Sequence, residues 1–198
     1  MPNAELPPLS VVIPSHSRAD LLQLCLASVT QFAPLNTEVI VVDDGSRDAI
    51  VSRTASAFPR VTVVRHSRAG GFCVAANAGI ALARAPVVEL LNDDAEVTAG
   101  WAEAALAHFA NPQIAAVAPL VLQNDPARRE RGLPPLIDTA GDDYDCGGFA
   151  RKRGHNEPLT QLQYAQTQHV FGASAAAAFY RRDAVLAVGG FPEHFGAY

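Results

Sequence analysis

The sequence predicts an α/β fold, a doubly wound and mostly parallel sheet with helices on both faces. Three observations carry that prediction. Short β-branched apolar runs alternate with helix-period segments between Leu9 and Leu122. The connections between them are a few residues long, so successive strands run parallel and are joined by right-handed crossovers. The runs are almost wholly apolar instead of alternating, as burial on both faces requires.

Leu9 to Pro14 (LSVVIP) reads as a buried strand stopped by proline. Ala19 to Phe32 is a helix, with Leu21, Leu22, Cys25, Ser28, Val29 and Phe32 at helical spacing, and Ser17 or Asp20 is placed to cap it. Glu38 to Val42 is a second strand, ending in Asp43-Asp44-Gly45-Ser46. A polar helix from Arg47 to Phe58 leads to a third strand, Val61 to Arg65. Gly70-Gly71 opens a small-residue helix reaching Arg84, and Pro86 to Leu91 is a fourth strand ending in Asn92-Asp93-Asp94. A helix from Thr98 to Phe109 and a strand from Ile114 to Leu122 complete the regular pattern. From Gln123 to Gln168 periodicity disappears, as in a functional loop or a mobile segment. His169 to Tyr180 is an alanine-rich strand or helix, and Arg182 to Val188 is a helix closed by Gly189-Gly190.

The 198 residues suit one domain, and 49% apolar against 18% charged residues exclude a disordered chain. Fifteen basic and twenty acidic residues leave a net charge of −5, so nucleic acid is not an expected partner. No stretch is apolar and long enough for a membrane span, and Met1-Pro2-Asn3-Ala4-Glu5 has no signal-peptide pattern. Cys25, Cys73 and Cys146 are scattered and odd in number, which predicts reduced thiols in a cytoplasmic protein.

In an open parallel sheet, ligands bind outside the carboxyl ends of the strands. Asp43-Asp44 and Asp93-Asp94 both fall there. Adjacent carboxylates repel, so such doublets call for a cation or hydrogen-bond donors facing them, although strand-end aspartates also cap helices. Two doublets at one edge favour function over capping. Hard oxygen ligands suit Mg²⁺ or Mn²⁺, which take one or two carboxylates and complete their shell with waters and phosphates. A diphosphate-bearing small molecule is the ligand this chemistry implies. There is no Walker A lysine motif, and Ala69-Gly70-Gly71-Phe72 is not a dinucleotide fingerprint.

SVVIPSHSR, VIVVDDGSRD, GGFCVAANAGIALA and VVELLNDDAEV, followed by HVFGASAAAAFYRRDAVLAVGGFPEHFGAY, resemble in order and spacing the landmarks of family-two glycosyltransferases. The similarity runs from Leu9 to Tyr198 and is densest with rhamnosyltransferase-like members. It implies a single GT-A domain over residues 1–198. Residues 9–122 would be the nucleotide-binding half, 123–168 an irregular loop segment and 169–198 the start of the acceptor-side half. It implies transfer of a sugar from a UDP- or dTDP-sugar to a carbohydrate or lipid-linked acceptor, with inversion and with Mg²⁺ or Mn²⁺.

Residue by residue, the resemblance places Pro14 and His16 against the nucleobase, and Asp44 as acceptor for a pyrimidine imide N–H. Asp43 would serve the ribose or hold the turn. Gly70, Gly71 and Asn77 would approach the base and diphosphate, and Arg68 a phosphate charge. Asn92-Asp93-Asp94 occupies the DxD position, with Asp94 as metal ligand and Asp93 on the donor sugar or ribose. The family's general base follows its GGF turn. Here Gly189-Gly190-Phe191-Pro192-Glu193-His194 leads to Tyr198, so the base is expected just beyond it and the chain reads as truncated. Glu193 matches the turn and not the base.

A unit that binds the nucleotide-sugar without transferring it is therefore a second reading. A phospho-receiver is a third, but it needs its acid pair after strand one and a late lysine, and the one lysine is Lys152. Trp101 reads as core packing, and Asp142, Asp143 and Asp145 as a solvated loop. Arg128, Arg129, Arg131 and Arg151 to Arg153 either meet an anionic acceptor or membrane headgroups, giving peripheral association with the inner membrane face, or are solvated.

Overall fold

Apolar runs that must be covered on both sides become the inner strands of a sheet, and they do so here. The computed structural model describes residues 7–195, so the readings of Met1 to Glu5 and of Gly196 to Tyr198 lie outside the described residues. Ser10–Ser15 (β1), Ala19–Phe32 (α1), Glu38–Asp43 (β2), Ile50–Ser56 (α2), Val61–Arg65 (β3), Phe72–Leu82 (α3), Val87–Leu91 (β4) and Trp101–His108 (α4) keep the expected alternation. These four strands are parallel in the order β3-β2-β1-β4. The chain winds outward from β1 to β3, then crosses back to the other side of β1. That reversal sets a switch-point crevice at the carboxyl ends of β1 and β4.

The period-2 alternation of a strand sends side chains to both faces. Val11, Ile13, Val41 and Leu91 pack against Leu22, Leu26 and Val29 of α1 and against Ala102 and Ala105 of α4. Val12, Ile40, Val42 and Leu90 meet Ala75, Ala76 and Ile80 of α3 on the opposite face. Gly79 lets α3 lie this close, since a Cβ there would stand 2.3 Å from Val12 Cγ1.

The remaining elements depart from the expected pattern in instructive ways. The strand expected from Ile114 to Leu122 is two short ones, Ala116–Val117 (β5) and Val121–Leu122 (β6). Pro119 lies between them and has no N–H to continue a ladder. The segment expected to be structureless holds Pro126–Glu130 (α5), Ile137–Thr139 (β7), Asp142–Tyr144 (β8) and Ala150–Lys152 (β9). Its β6–β7 and β8–β9 pairs are too short to show periodicity. Ala177–Arg181 (β10) settles the strand-or-helix alternative, running antiparallel to both β4 and β5 and so extending the main sheet. It leads into Arg182–Ala187 (α6). The helix expected from Arg47 starts only at Ile50, because Asp48 and Ala49 take left-handed φ values of 52° and 53°.

Candidate functional site

Both acid doublets stand at the carboxyl edge, on either side of β1, but their four carboxylates do different work. Asp43 is wholly buried. It accepts hydrogen bonds from Ser46 N (2.7 Å), Ser52 N (3.1 Å), the Ser52 hydroxyl and Arg65 Nη1 (3.2 Å). Burial alone would raise its pKa, but the donors from Ser52 and Ser46 outweigh burial and hold the carboxyl below its ordinary value. Of the two roles expected for Asp43, holding the turn accounts for all of these contacts.

Asp44 bolts the next loop to the sheet. It accepts from Gly70 N (2.9 Å), Gly71 N (2.8 Å) and pairs with His66 Nδ1 (2.9 Å). Here too burial is outweighed, by Gly70, His66 and Gly71, and the pKa is lowered. Gly45 is required between the doublet and this loop. It has φ +69°, and a Cβ there would lie 2.5 Å from the Arg68 carbonyl carbon.

A cavity of about 250 Å³ opens between the end of β1 and the start of α3. Pro14, His16, Asp44, Gly71 and Asp93 line it, so the fold gathers five of the predicted site residues around one space. A sixth, Gly70, reaches it through its bond to Asp44. The His16 ring sits at the rim with Nδ1 2.7 Å from the Asp44 carbonyl oxygen. The first turn of α3 also faces this space, where backbone N–H groups and the helix dipole favour an anion.

The four other predicted residues do not line it, Asp94 among them, which faces a larger cavity. Asp43 is turned into the β2–α2 junction. The Arg68 side chain is exposed and lines neither cavity described here. Asn77, expected near the base and diphosphate, instead clasps the turn after α6. Its amide donates to Phe191 O (2.9 Å) and Glu193 Oε1 (3.1 Å) and accepts from Phe191 N (2.8 Å). The physical reason is Gly190, whose φ of +77° turns the chain directly onto the Asn77 side chain.

The second doublet carries a residue that the sequence reading passed over. The Arg18 guanidinium bridges both acids, Nη2 on Asp93 Oδ1 and Nη1 on Asp94 Oδ2. Asp93 is 2% exposed, and its other oxygen accepts from the Ser15 hydroxyl at 2.6 Å. Burial pushes the Asp93 pKa up, and Ser15 and Arg18 offset it only in part. Asp94 is far more open, its side chain 38% exposed. The signal was present in S-H-S-R, a cation three residues past the end of β1.

Beyond Asp94 lies a second cavity of about 1040 Å³, lined by Asn92, Asp94, Glu89 and Trp101 and walled by α1 and the segment from Pro119 to Asp125. Trp101 does more than pack, since its indole N–H donates to both oxygens of Glu89 at 3.0 Å. Glu89 is fully buried in β4, and burial pushes its carboxyl up to about 8. The Asp93–Asp94 doublet is thus the partition between a small cavity and a large one.

A divalent ion fits this donor set. Among the described residues no group of three or more His, Cys, Asp or Glu side chains is arranged to hold a metal. Two hard carboxylates already facing one cation, the guanidinium, suit an ion that takes its remaining ligands from phosphate and water.

The glycosyl transferase family 2 profile matches residues 10–189. A pre-mycofactocin glycosyltransferase of Mycobacterium tuberculosis is 29% identical over 190 residues, covering 93% of this chain and 36% of the relative. A mannosyltransferase of Pyrobaculum calidifontis, solved with GDP-Man and Mn²⁺, superposes with a TM-score of 0.63 at 21% identity, covering 96% of this chain and 49% of that one. GalNAc-T7, solved with UDP, GalNAc and Mn²⁺, does so with a TM-score of 0.70 at 17% identity, covering 99% and 39%. The likenesses to these solved chains show the fold, which is GT-A. The chain spans between about a third and a half of the length of these proteins.

Proposed function

The chain belongs to glycosyl transferase family 2, and from that premise we propose that it moves a sugar from a nucleoside diphosphate-sugar to a carbohydrate or lipid-linked acceptor. The observation that carries the proposal is the partition. The cavity on the Asp93 side is sized for a heterocyclic base, and the one on the Asp94 side is large enough for an acceptor. The carboxylates between them mark where the sugar–phosphate bond would lie.

In this reading Pro14 and His16 take the faces of the base. Asp44, already fixed by Gly70 and Gly71, accepts the imide N–H of a uracil or thymine. The first turn of α3 meets the diphosphate, and the exposed Arg68 supplies further positive charge. Asp93 holds the donor sugar or ribose. Asp94 is the ligand for Mg²⁺ or Mn²⁺, which when bound neutralises charge on the departing diphosphate. The wider proposal includes an inverting reaction, a rhamnosyltransferase-like placement within the family and a UDP- or dTDP-sugar donor. It also includes a cytoplasmic site of action at the inner membrane face. Among the described residues no helix is long and apolar enough to cross a membrane. Beside the large cavity, Arg128 and Arg129 have no carboxylate partner among the described residues, as an anionic acceptor or a headgroup would need.

Donor binding without transfer is favoured by one observation. Glu193, the acid in the GGF turn, already pairs with Asn77 and lines neither cavity. Calorimetry on Asp94→Ala tests the metal assignment. The variant should keep its fold and lose Mn²⁺-dependent affinity for UDP and dTDP, and unchanged Mn²⁺ dependence would refute it.

A further inference from the structure

The Arg18 clamp has a consequence for the order in which ligands enter. Of the four oxygens on Asp93 and Asp94, two accept from the guanidinium and a third from Ser15. Only Asp94 Oδ1 has no partner among the described residues. A divalent ion held by both carboxylates, or by both oxygens of Asp94, would need oxygens and volume that the guanidinium fills. Two cations cannot share a pair of adjacent carboxylates without strong repulsion.

Arg18 is also built to leave. Its side chain is half exposed and, among the described residues, has no hydrogen-bond or ion-pair partner other than the doublet. It sits in the loop just before α1 and lines the small cavity beside His16 and Gly71. A diphosphate reaching the first turn of α3 would therefore arrive within the guanidinium's range. Arginine takes phosphate oxygens with the same two-pronged geometry it uses on carboxylates. Of the two acids that end β2, Asp43 already accepts from Ser46, Ser52 and Arg65, and Asp44 accepts from Gly70 and Gly71 and pairs with His66.

We propose that Arg18 is a positioning residue that closes the Asp93–Asp94 doublet to metal until a nucleoside diphosphate draws its guanidinium away. The inference rests on the metal and donor reading above and goes beyond it. It makes metal and nucleotide bind cooperatively, each strengthening the other by the same factor, because linkage is reciprocal. Arg18 then travels with the diphosphate and helps hold it.

The test measures Mn²⁺ binding by the loss of the free-ion electron paramagnetic resonance signal. It uses the wild-type chain, Arg18→Gln and Arg18→Ala, each without nucleotide and then with UDP or dTDP. Circular dichroism checks that the variants fold, and Arg18→Gln keeps hydrogen-bonding capacity while losing the charge. Without nucleotide, both variants should bind Mn²⁺ roughly ten- to thirtyfold more tightly than wild type, as expected for removing two partly exposed charge-assisted contacts. The factor by which UDP or dTDP strengthens Mn²⁺ binding should shrink in both. Nucleotide-free Mn²⁺ affinity that is unchanged, weaker or undetectable in the variants overturns the clamp. Failure of UDP and dTDP to bind any of the three proteins would instead sink the donor reading, and the nucleotide-free comparison would still decide the role of Arg18.

Discussion

Replacing Glu89 by Gln should change how stability depends on pH more than any other single exchange in the sheet. Glu89 is in the middle of β4, opposite Val11 on one side and Phe179 on the other, and has no exposed surface. Burial drives its pKa from an ordinary 4.5 to about 8, and the hydrogen bond from its donor Trp101 offsets this only in part. The folded chain therefore keeps a proton that the unfolded chain gives up above pH 4.5. Stability is fully present below that pH and falls as pH rises toward 8, because the unfolded state binds fewer protons in that window. At about 1.4 kcal/mol per pH unit, the loss accumulates to about 3–5 kcal/mol. That is a large share of a typical domain's stability of about 5–15 kcal/mol. Glutamine cannot ionise, but its amide brings two N–H donors to a fully buried position, where leaving them unpaired costs about 1–3 kcal/mol. Urea unfolding at intervals from pH 5 to pH 9 should show wild type weakening steadily. Glu89→Gln should weaken less over the same range, starting below wild type and ending above it. Parallel curves for the two proteins would refute the assignment of a neutral, buried acid.

Two further exchanges test the supports of the site. Gly45→Ala forces a Cβ into the Arg68 backbone at a positive φ, and thermal unfolding should show a loss of more than about 2 kcal/mol with weakened nucleotide binding. Asn77→Ala removes three hydrogen bonds between α3 and the turn at Phe191. It should cost about 1–3 kcal/mol, while nucleotide affinity, read by calorimetry, stays within about twofold of wild type. A large affinity loss there would return Asn77 to the donor site.

The alternation of apolar runs and helical segments made the sheet legible, and the strand ends made the acid doublets legible, because both are local patterns. What escaped depends on pairing across long stretches of chain. Arg18 meets Asp93 and Asp94 only because β1 lies beside β4, with Val12 opposite Leu90. The resemblance carried Asn77 to the base and diphosphate, yet its partner is Phe191, which the turn after α6 brings over α3. Glu89 was visible as a charge inside a run read as doubly buried, and its partner Trp101 stood seven residues beyond the doublet, across an irregular stretch and without any local mark. The short hairpins after Leu122 were invisible for a simpler reason, since three-residue strands have no period to detect.

The central claim is that the crevice between β1 and α3 holds a nucleoside diphosphate together with a divalent ion at the Asp93–Asp94 doublet. Calorimetric titration with UDP, dTDP, GDP and NADH, each with and without Mn²⁺, tests it most directly. The account predicts that UDP or dTDP binds, that Mn²⁺ strengthens the binding markedly, and that NADH does not bind. Absence of binding by every nucleoside diphosphate, or binding indifferent to Mn²⁺, would contradict it.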